Sequence, residues 1–219
     1  MLSADSLATI RSEGEHIIAQ AHRDRERPVP QYPGWVMGDL MSHLGSVHAR
    51  TALICREHPT ERPAAPQTPE GADVLEWCAA SLDEMVTALE ASDPTTPVWG
   101  FWDKSSLGLW ERRMLIETGI HRWDADQAFG EEGPLTDTVA LSGLDEYASM
   151  WLSRLGEVPP IEVEATDLGR SWAYGSGAPE ARVSGTASDV YLRLMSRASL
   201  VTLPETWATA VDALEGPKR

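Results

Sequence analysis

The 219-residue sequence has few cysteines and few positive charges. Its two cysteines, Cys55 and Cys78, lie on separate predicted helices, which favours small buried thiols over a disulfide framework. Eighteen Lys and Arg residues stand against 34 Asp and Glu residues, and the formal net charge is −16. No long cluster of basic residues occurs, so the electrostatic footprint of nucleic-acid binding is missing. We therefore expect no nucleic-acid partner.

Targeting segments and common catalytic motifs are also absent. The N-terminal residues lack a basic region followed by an apolar run, and no run of 18 apolar residues occurs. We therefore expect a cytoplasmic protein without a membrane span. The sequence contains no G-x-S-x-G elbow, no G-x-G-x-x-G after a strand and no P-loop, which argues against hydrolase-elbow, dinucleotide and NTP chemistry.

The apolar content, 42%, is sufficient for a substantial core. Apolar residues at spacings of three and four predict five helices, over residues 4–23, 35–57, 70–91, 110–129 and 137–155. After Gly156, short β-branched segments predict strands within 158–166, 170–176 and 181–187, then helices at 187–197 and 206–214, with 200–203 as a candidate last strand. The predicted fold class is α+β, with a helical domain over residues 1–155 and a small domain over 156–219.

The helix predicted over 110–129 carries two polar residues on a face that otherwise looks buried. Glu117 and His121 are four residues apart, so their side chains leave the same face one turn from each other. Burying a charge is costly unless it is paired or binds a metal. His43 lies on the apolar stripe of the second helix, whereas His48 is predicted to face its polar side.

Two interpretations of these residues remain open. Three ligands of the His and carboxylate type, with one position left for a reactant, are typical of catalytic zinc sites. A Glu-x-x-x-His pair is also common as a simple hydrogen-bonded pair, and a histidine on an apolar face is commonly a core residue. Similarly, the aromatic residues Trp99, Phe101 and Trp102 are expected to close the core or to line the mouth of a pocket.

Three segments resemble one known family, and they occur in its order along the chain. They are WVMGDLMSHLGSVHA (35–49), with a D-L-x-x-H-L motif, ETGIHRWD (117–124), and ARVSGTASDVYLRLMSRASLVTL (181–203). They resemble the mycothiol-dependent maleylpyruvate isomerase family of actinobacteria. The resemblance implies a DinB-like four-helix bundle followed by a small α/β domain of the sterol-carrier-like type.

The resemblance also implies a chemistry. His43, Glu117 and His121 would bind Zn²⁺ or another divalent metal, and mycothiol would be the thiol cosubstrate. The thiolate would either isomerise a cis-unsaturated keto-acid such as maleylpyruvate or be transferred to another electrophile. Arg197 and Arg122 would hold substrate carboxylates, in a protein that is a monomer or a homodimer.

The C-terminal segment departs from the family pattern. Met195-Ser196 stands where Trp-Gly is common, and Leu203-Pro204-Glu205 stands where Gly-Asp is common. The substrate therefore stays open between maleylpyruvate and another electrophile. The alternative from a different functional class is a non-catalytic small-molecule binding protein in which the metal site is structural or vacant.

Overall fold

A computed structural model describes residues 4–102, 104–131, 133–197 and 200–214. The helices in these ranges are α1 (Ala4–Arg23), α2 (Met37–Glu57), α3 (Val74–Glu90), α4 (Leu107–Ala128), α5 (Asp137–Met150), α6 (Ala187–Leu194) and α7 (Glu205–Asp212). A 3₁₀ turn, Leu152–Arg154, follows α5, and the strands are β1 (Ile161–Ala165), β2 (Arg170–Tyr174) and β3 (Ala181–Gly185). None of the helices within these ranges is both long and apolar enough to cross a membrane.

The first of two compact units spans Met1–Gly133 and contains the four-helix bundle. In it, α2 packs against α3 and α4, and α1 packs against the same two helices. Apolar side chains of all four helices are buried between them, among them Ile17, Leu40, Cys78 and Ala125. The four predicted helices of this region and their packing as a bundle are confirmed.

The ends of the bundle helices follow from local residue chemistry. Asp73 caps α3, since its carboxylate accepts hydrogen bonds from the backbone N–H groups of Leu75 and Glu76. Helix α2 ends where His58 adopts a left-handed conformation (φ 48°), directly before Pro59. The segment between these two points is Pro-rich and irregular, as its composition predicts.

The second unit spans Pro134–Lys218, so it begins well before the boundary expected at residue 155. Helix α5 lies in this unit because it packs against α6 and β2. The hydroxyl of Tyr147 on α5 donates a hydrogen bond to the carbonyl of Leu194, and the hydroxyl of Tyr174 donates to the carbonyl of Leu144. A division at residue 155 would separate these buried partners.

A three-stranded sheet with the order β2-β1-β3 forms the centre of the second unit. Strand β1 pairs antiparallel with β2 and parallel with β3. Ile161, Val163 and Ala165 of β1 are buried and alternate with glutamates, so one face of the sheet packs on the core. The candidate strand at 200–203 is wrong: this segment is irregular, and its buried Val201 lies beside Gly185 without joining the sheet.

Two glycines of α2 provide a test of packing in the bundle. A methyl group at Gly45 would overlap the ring of Trp77, whereas one at Gly38 would make only an ordinary contact, 3.5 Å from the carbonyl oxygen of Arg25. We expect Gly45→Ala to lower the free energy of unfolding by about 1–3 kcal/mol, as overpacking does. Gly38→Ala should leave it equal or higher, because alanine favours a helix. Urea denaturation measures the free energy of unfolding of both variants, and equal stability of the two would contradict the packing described.

Candidate metal centre

Three potential metal ligands from two helices converge in the first unit. His43 lies on α2, and Glu117 and His121 lie one turn apart on α4. The Nε2 atoms of His43 and His121 lie 3.2 and 3.4 Å from Oε1 of Glu117, and one ligand atom from each residue lies within 4.8 Å of the others. Two imidazole nitrogens and a carboxylate oxygen at this separation suit a zinc-like ion.

Asp124 orients one of these ligands from the far side of its ring. The Nδ1–H of His121 can donate a hydrogen bond to Oδ2 of Asp124, at 2.9 Å, and both side chains are buried. That bond fixes the tautomer of His121 so that the lone pair of Nε2 faces Glu117 and His43. A carboxylate behind a ligating histidine is a recurrent feature of metal sites, and it supports the fit of this set to a metal.

Glu117 divides its two oxygens between different partners. Oε1 faces the two histidines, whereas Oε2 accepts a hydrogen bond from the guanidinium of Arg113, one turn earlier on α4. Burial opposes ionisation of Glu117, but the positive charge of Arg113 and the neighbouring imidazoles of His121 and His43 overcome it and hold its pKa well below the ordinary value. The carboxylate is therefore charged at neutral pH, as a metal ligand must be.

Two aromatic residues from the loop before α2 cover the histidines. The ring of Tyr32 lies 5.8 Å from that of His121, and the ring of Trp35 lies 5.6 Å from that of His43, measured between centroids. Both aromatic residues are buried. They place an apolar wall beside the polar cluster, which lowers the local dielectric and limits access of water.

His48 was predicted to face the polar side of α2, and this prediction is wrong. The residue is buried, and its Nε2 lies 3.3 Å from the hydroxyl of Thr118. The physical reason is that α2 packs against both α3 and α4, so more than one side of the helix is enclosed. Burial lowers the pKa of His48 to about 3, so its ring is neutral at physiological pH.

The two arginines expected to hold substrate occupy different environments. The guanidinium of Arg122 is buried in the first unit and forms ion pairs with Glu13 at 2.7 Å and Asp126 at 2.6 Å. Arg197 belongs to the second unit, where it is half-buried and donates a hydrogen bond to the carbonyl of Met195. The role of each in catalysis stays a prediction.

A second cluster with metal-type side chains differs from the first in its charge balance. His16, Asp126 and Glu131 also have ligand atoms within 4.8 Å of one another. Here, however, Arg122 neutralises Asp126, and Arg23 neutralises Glu131. The amide of Gln20 also donates to both carboxylates. This cluster is a hydrogen-bonded network that ties α1 to the end of α4.

The sequence predicted the three residues of the cluster but not the side chains that contact them. Arg113 and Asp124 both carried a signal, since they lie on the same helix four residues before Glu117 and three after His121. No sequence pattern places Tyr32 beside the cluster, because its position depends on the path of an irregular loop. The structure brings His43 of α2 beside Glu117 and His121 of α4, and the role of the three as metal ligands stays a prediction.

Comparisons with known proteins agree on one family. The family profile described as "Mycothiol maleylpyruvate isomerase N-terminal domain" matches residues 10–126. No curated protein matches the sequence. Solved structures match the fold, and two of them are of the same enzyme. One is a crystal structure of the mycothiol-dependent maleylpyruvate isomerase, with a TM-score of 0.71 and 14% identity, covering 92% of this chain and 94% of that one.

The other is a His-to-Ala mutant of the mycothiol-dependent maleylpyruvate isomerase. It has a TM-score of 0.67 and 13% identity, covering 86% of this chain and 87% of that one. Identities this low show a shared fold. The aligned regions cover most of both chains, so the similarity in fold includes the C-terminal region as well as the bundle.

The hydrogen bond from His121 to Asp124 generates a prediction for metal affinity. We expect Asp124→Asn to weaken zinc binding by about 10- to 100-fold, as loss of such supporting bonds typically does. Competition against a chromogenic zinc chelator measures the affinity. Asp83→Asn, at an exposed residue of α3 that pairs with Arg11, is the matched control and should bind zinc as the unmodified protein does. Equal affinity of both variants would show that Asp124 does not support a metal ligand.

Proposed function

The chain belongs to the mycothiol maleylpyruvate isomerase family, and from this premise we propose that it is a metal-dependent enzyme that uses mycothiol as its nucleophile. The reaction is either cis–trans isomerisation of an unsaturated keto-acid such as maleylpyruvate or transfer of the thiol to another electrophile. The observation that carries the proposal is the convergence of His43, Glu117 and His121 on one point between α2 and α4.

The donor set fits the proposed metal, and the surrounding residues prepare it. His43, Glu117 and His121 would hold a zinc-like ion through two nitrogens and one oxygen. When bound, such an ion lowers the pKa of a coordinating thiol and so supplies a thiolate at neutral pH. Arg113 keeps Glu117 ionised, Asp124 fixes the tautomer of His121, and Tyr32 and Trp35 restrict water around the histidines.

Both reactions share their first bond-forming step. The sulfur of the thiolate attacks an electron-poor carbon, and in an unsaturated acid the electron pair of the double bond moves toward the conjugated carbonyl group. In the isomerase reaction, the former double bond rotates as a single bond, and the electron pair returns to expel the thiolate and leave the trans isomer. In the transferase reaction, the carbanion is protonated, or a leaving group departs, and the sulfur stays attached. The metal ligands serve either outcome, so the electrophile decides between them.

The ligand histidine on α2 offers the direct test. We expect His43→Ala to lose bound zinc and to reduce mycothiol-dependent turnover by at least about 100-fold, because one of three ligands is removed. His58→Ala, at the exposed end of the same helix, is the control and should retain both. Elemental analysis measures the metal, and an electrophile panel with and without mycothiol measures turnover. Unmodified protein that binds no divalent metal would favour the non-catalytic binding protein instead.

Arg197 is the residue of the second unit that we propose to hold a substrate carboxylate. Arg197→Gln should raise KM for an acidic electrophile by about 10-fold or more, since a charge-assisted hydrogen bond is lost, while zinc content stays unchanged. Arg193→Gln is the matched control, because Arg193 is already paired with Asp212 at 2.7 Å. Steady-state kinetics with an acid and with its neutral ester measures the effect. The same KM in both variants would remove Arg197 from substrate binding.

A further inference from the structure

Arg50 lies on the same face of α2 as His43. Seven residues separate them, which is almost two full turns, so Arg50 is displaced by about 10 Å along the helix axis with little rotation. The pairs His43–Glu117 and Thr51–Met114 show that α2 and α4 run in opposite directions where they meet. Arg50 therefore lies beside the part of α4 that precedes Glu117.

The guanidinium of Arg50 has no acidic partner among the residues that the structure describes. Its side chain is half-buried, and its Nε is buried without a hydrogen-bond acceptor. Leaving a buried donor unsatisfied costs free energy, more so when the group is charged. Arg56, six residues later on the same helix, differs because it pairs with Glu84 in solvent. In a chain with a net charge of −16, a half-buried cation without such a partner requires an explanation.

A second cation from the Pro-rich loop lies within electrostatic range of Arg50. Burial lowers the pKa of Arg50, the positive charge of Arg62 lowers it further, and the negative charge of Glu117 raises it. The guanidinium of Arg62 is 5.8 Å from the centroid of the Trp99 ring, a cation–π distance that holds it over the aromatic face. The two positive charges thus act on each other electrostatically, and an anion bound by both would offset their repulsion.

Aromatic rings adjoin Arg62 and continue to α4. The ring of Trp99 lies 5.7 Å from that of Trp110, and the ring of Phe101 lies 5.1 Å from that of Trp99. Trp110 is two turns before Glu117 on α4, so it belongs to the same face as the proposed metal ligands. Trp99 is half-buried, and Phe101 is 38% exposed. Trp99 and Phe101 therefore offer an apolar surface next to Arg62, and fully buried Trp110 supports it from α4.

We propose that Arg50 and Arg62 form an anion-binding subsite that holds the carboxylate of a small, planar, unsaturated organic acid against Trp99. The role of this acid as a substrate rests on the proposed function. The subsite lies on the same contact between α2 and α4 as the proposed metal ligands. It adds to the site two cations of the first unit that the family motifs do not contain. The acid is bound at its charged end by the arginines and at its carbon skeleton by the aromatic rings.

Calorimetric titration of the zinc-loaded protein with maleate tests the subsite. We expect Arg50→Gln to weaken maleate binding by at least 10-fold and Arg62→Gln to weaken it several-fold, whereas Arg56→Gln, the matched control, changes it by less than twofold. Dimethyl maleate, which lacks the charges, should not bind measurably. Ionic strength is held constant with sodium chloride. Arg50→Lys should recover part of the affinity, which separates loss of charge from loss of structure.

The same titration in the zinc-free His43→Ala variant separates this subsite from direct binding of maleate to the metal. Binding that persists there and still depends on Arg50 supports the subsite. Failure of the unmodified protein to bind maleate overturns it, as does equal affinity of Arg50→Gln and Arg56→Gln. If maleate binding depends on Arg50 but the protein shows no mycothiol-dependent turnover, the proposed function fails and the subsite stands.

Discussion

The bundle depends at its centre on one buried carboxylate, that of Glu117. An ionised carboxylate inside a helical bundle is stable only if both oxygens are compensated, and here α2 and α4 together provide the compensation. The two histidines face Oε1, and Arg113 occupies Oε2. The carboxylate therefore favours one rotation of α4 relative to α2, because another rotation would separate it from His43, its partner on α2. The same constraint leaves three metal-type donors at one point.

The bundle and the common face of Glu117 and His121 were predictable because both arise from helical periodicity, whereas the role of these residues as metal ligands stays a prediction. Spacings of three and four residues placed the helices, and the separation of Glu117 from His121 put two donors on one face. The errors lie where tertiary packing decides the outcome. His48 is buried because two helices enclose α2, and Leu200–Leu203 is irregular although its composition suits a strand. A single helix viewed alone cannot show how many of its sides will be covered.

The placement of α5 illustrates a related limit. Its hydrophobic pattern is that of any amphipathic helix, and its place in the sequence predicts that it belongs to the same domain as the helices before it. Its apolar side chains instead pack with the sheet and with α6, and two tyrosine hydroxyls donate to carbonyls within that unit. Such bonds between residues about 30 to 47 positions apart leave no local signal in the sequence. The helix therefore joins the unit that satisfies its buried polar groups, which is the criterion that defines a domain physically.

The contact between α2 and α4 also explains why a strongly acidic chain keeps cations inside it. On α2 a seven-residue interval separates His43 from Arg50, and on α4 the same interval separates Trp110 from Glu117. Because the helices run in opposite directions, these intervals overlap and place aromatic and cationic groups beyond the ligands. The acidic exterior provides solubility but would repel an anionic substrate of the proposed kind at long range. Positive charge beside the proposed metal ligands would offset that repulsion only where such a substrate binds. The negative exterior and Arg50, which has no acidic partner in the described part of the chain, are therefore compatible parts of one electrostatic arrangement.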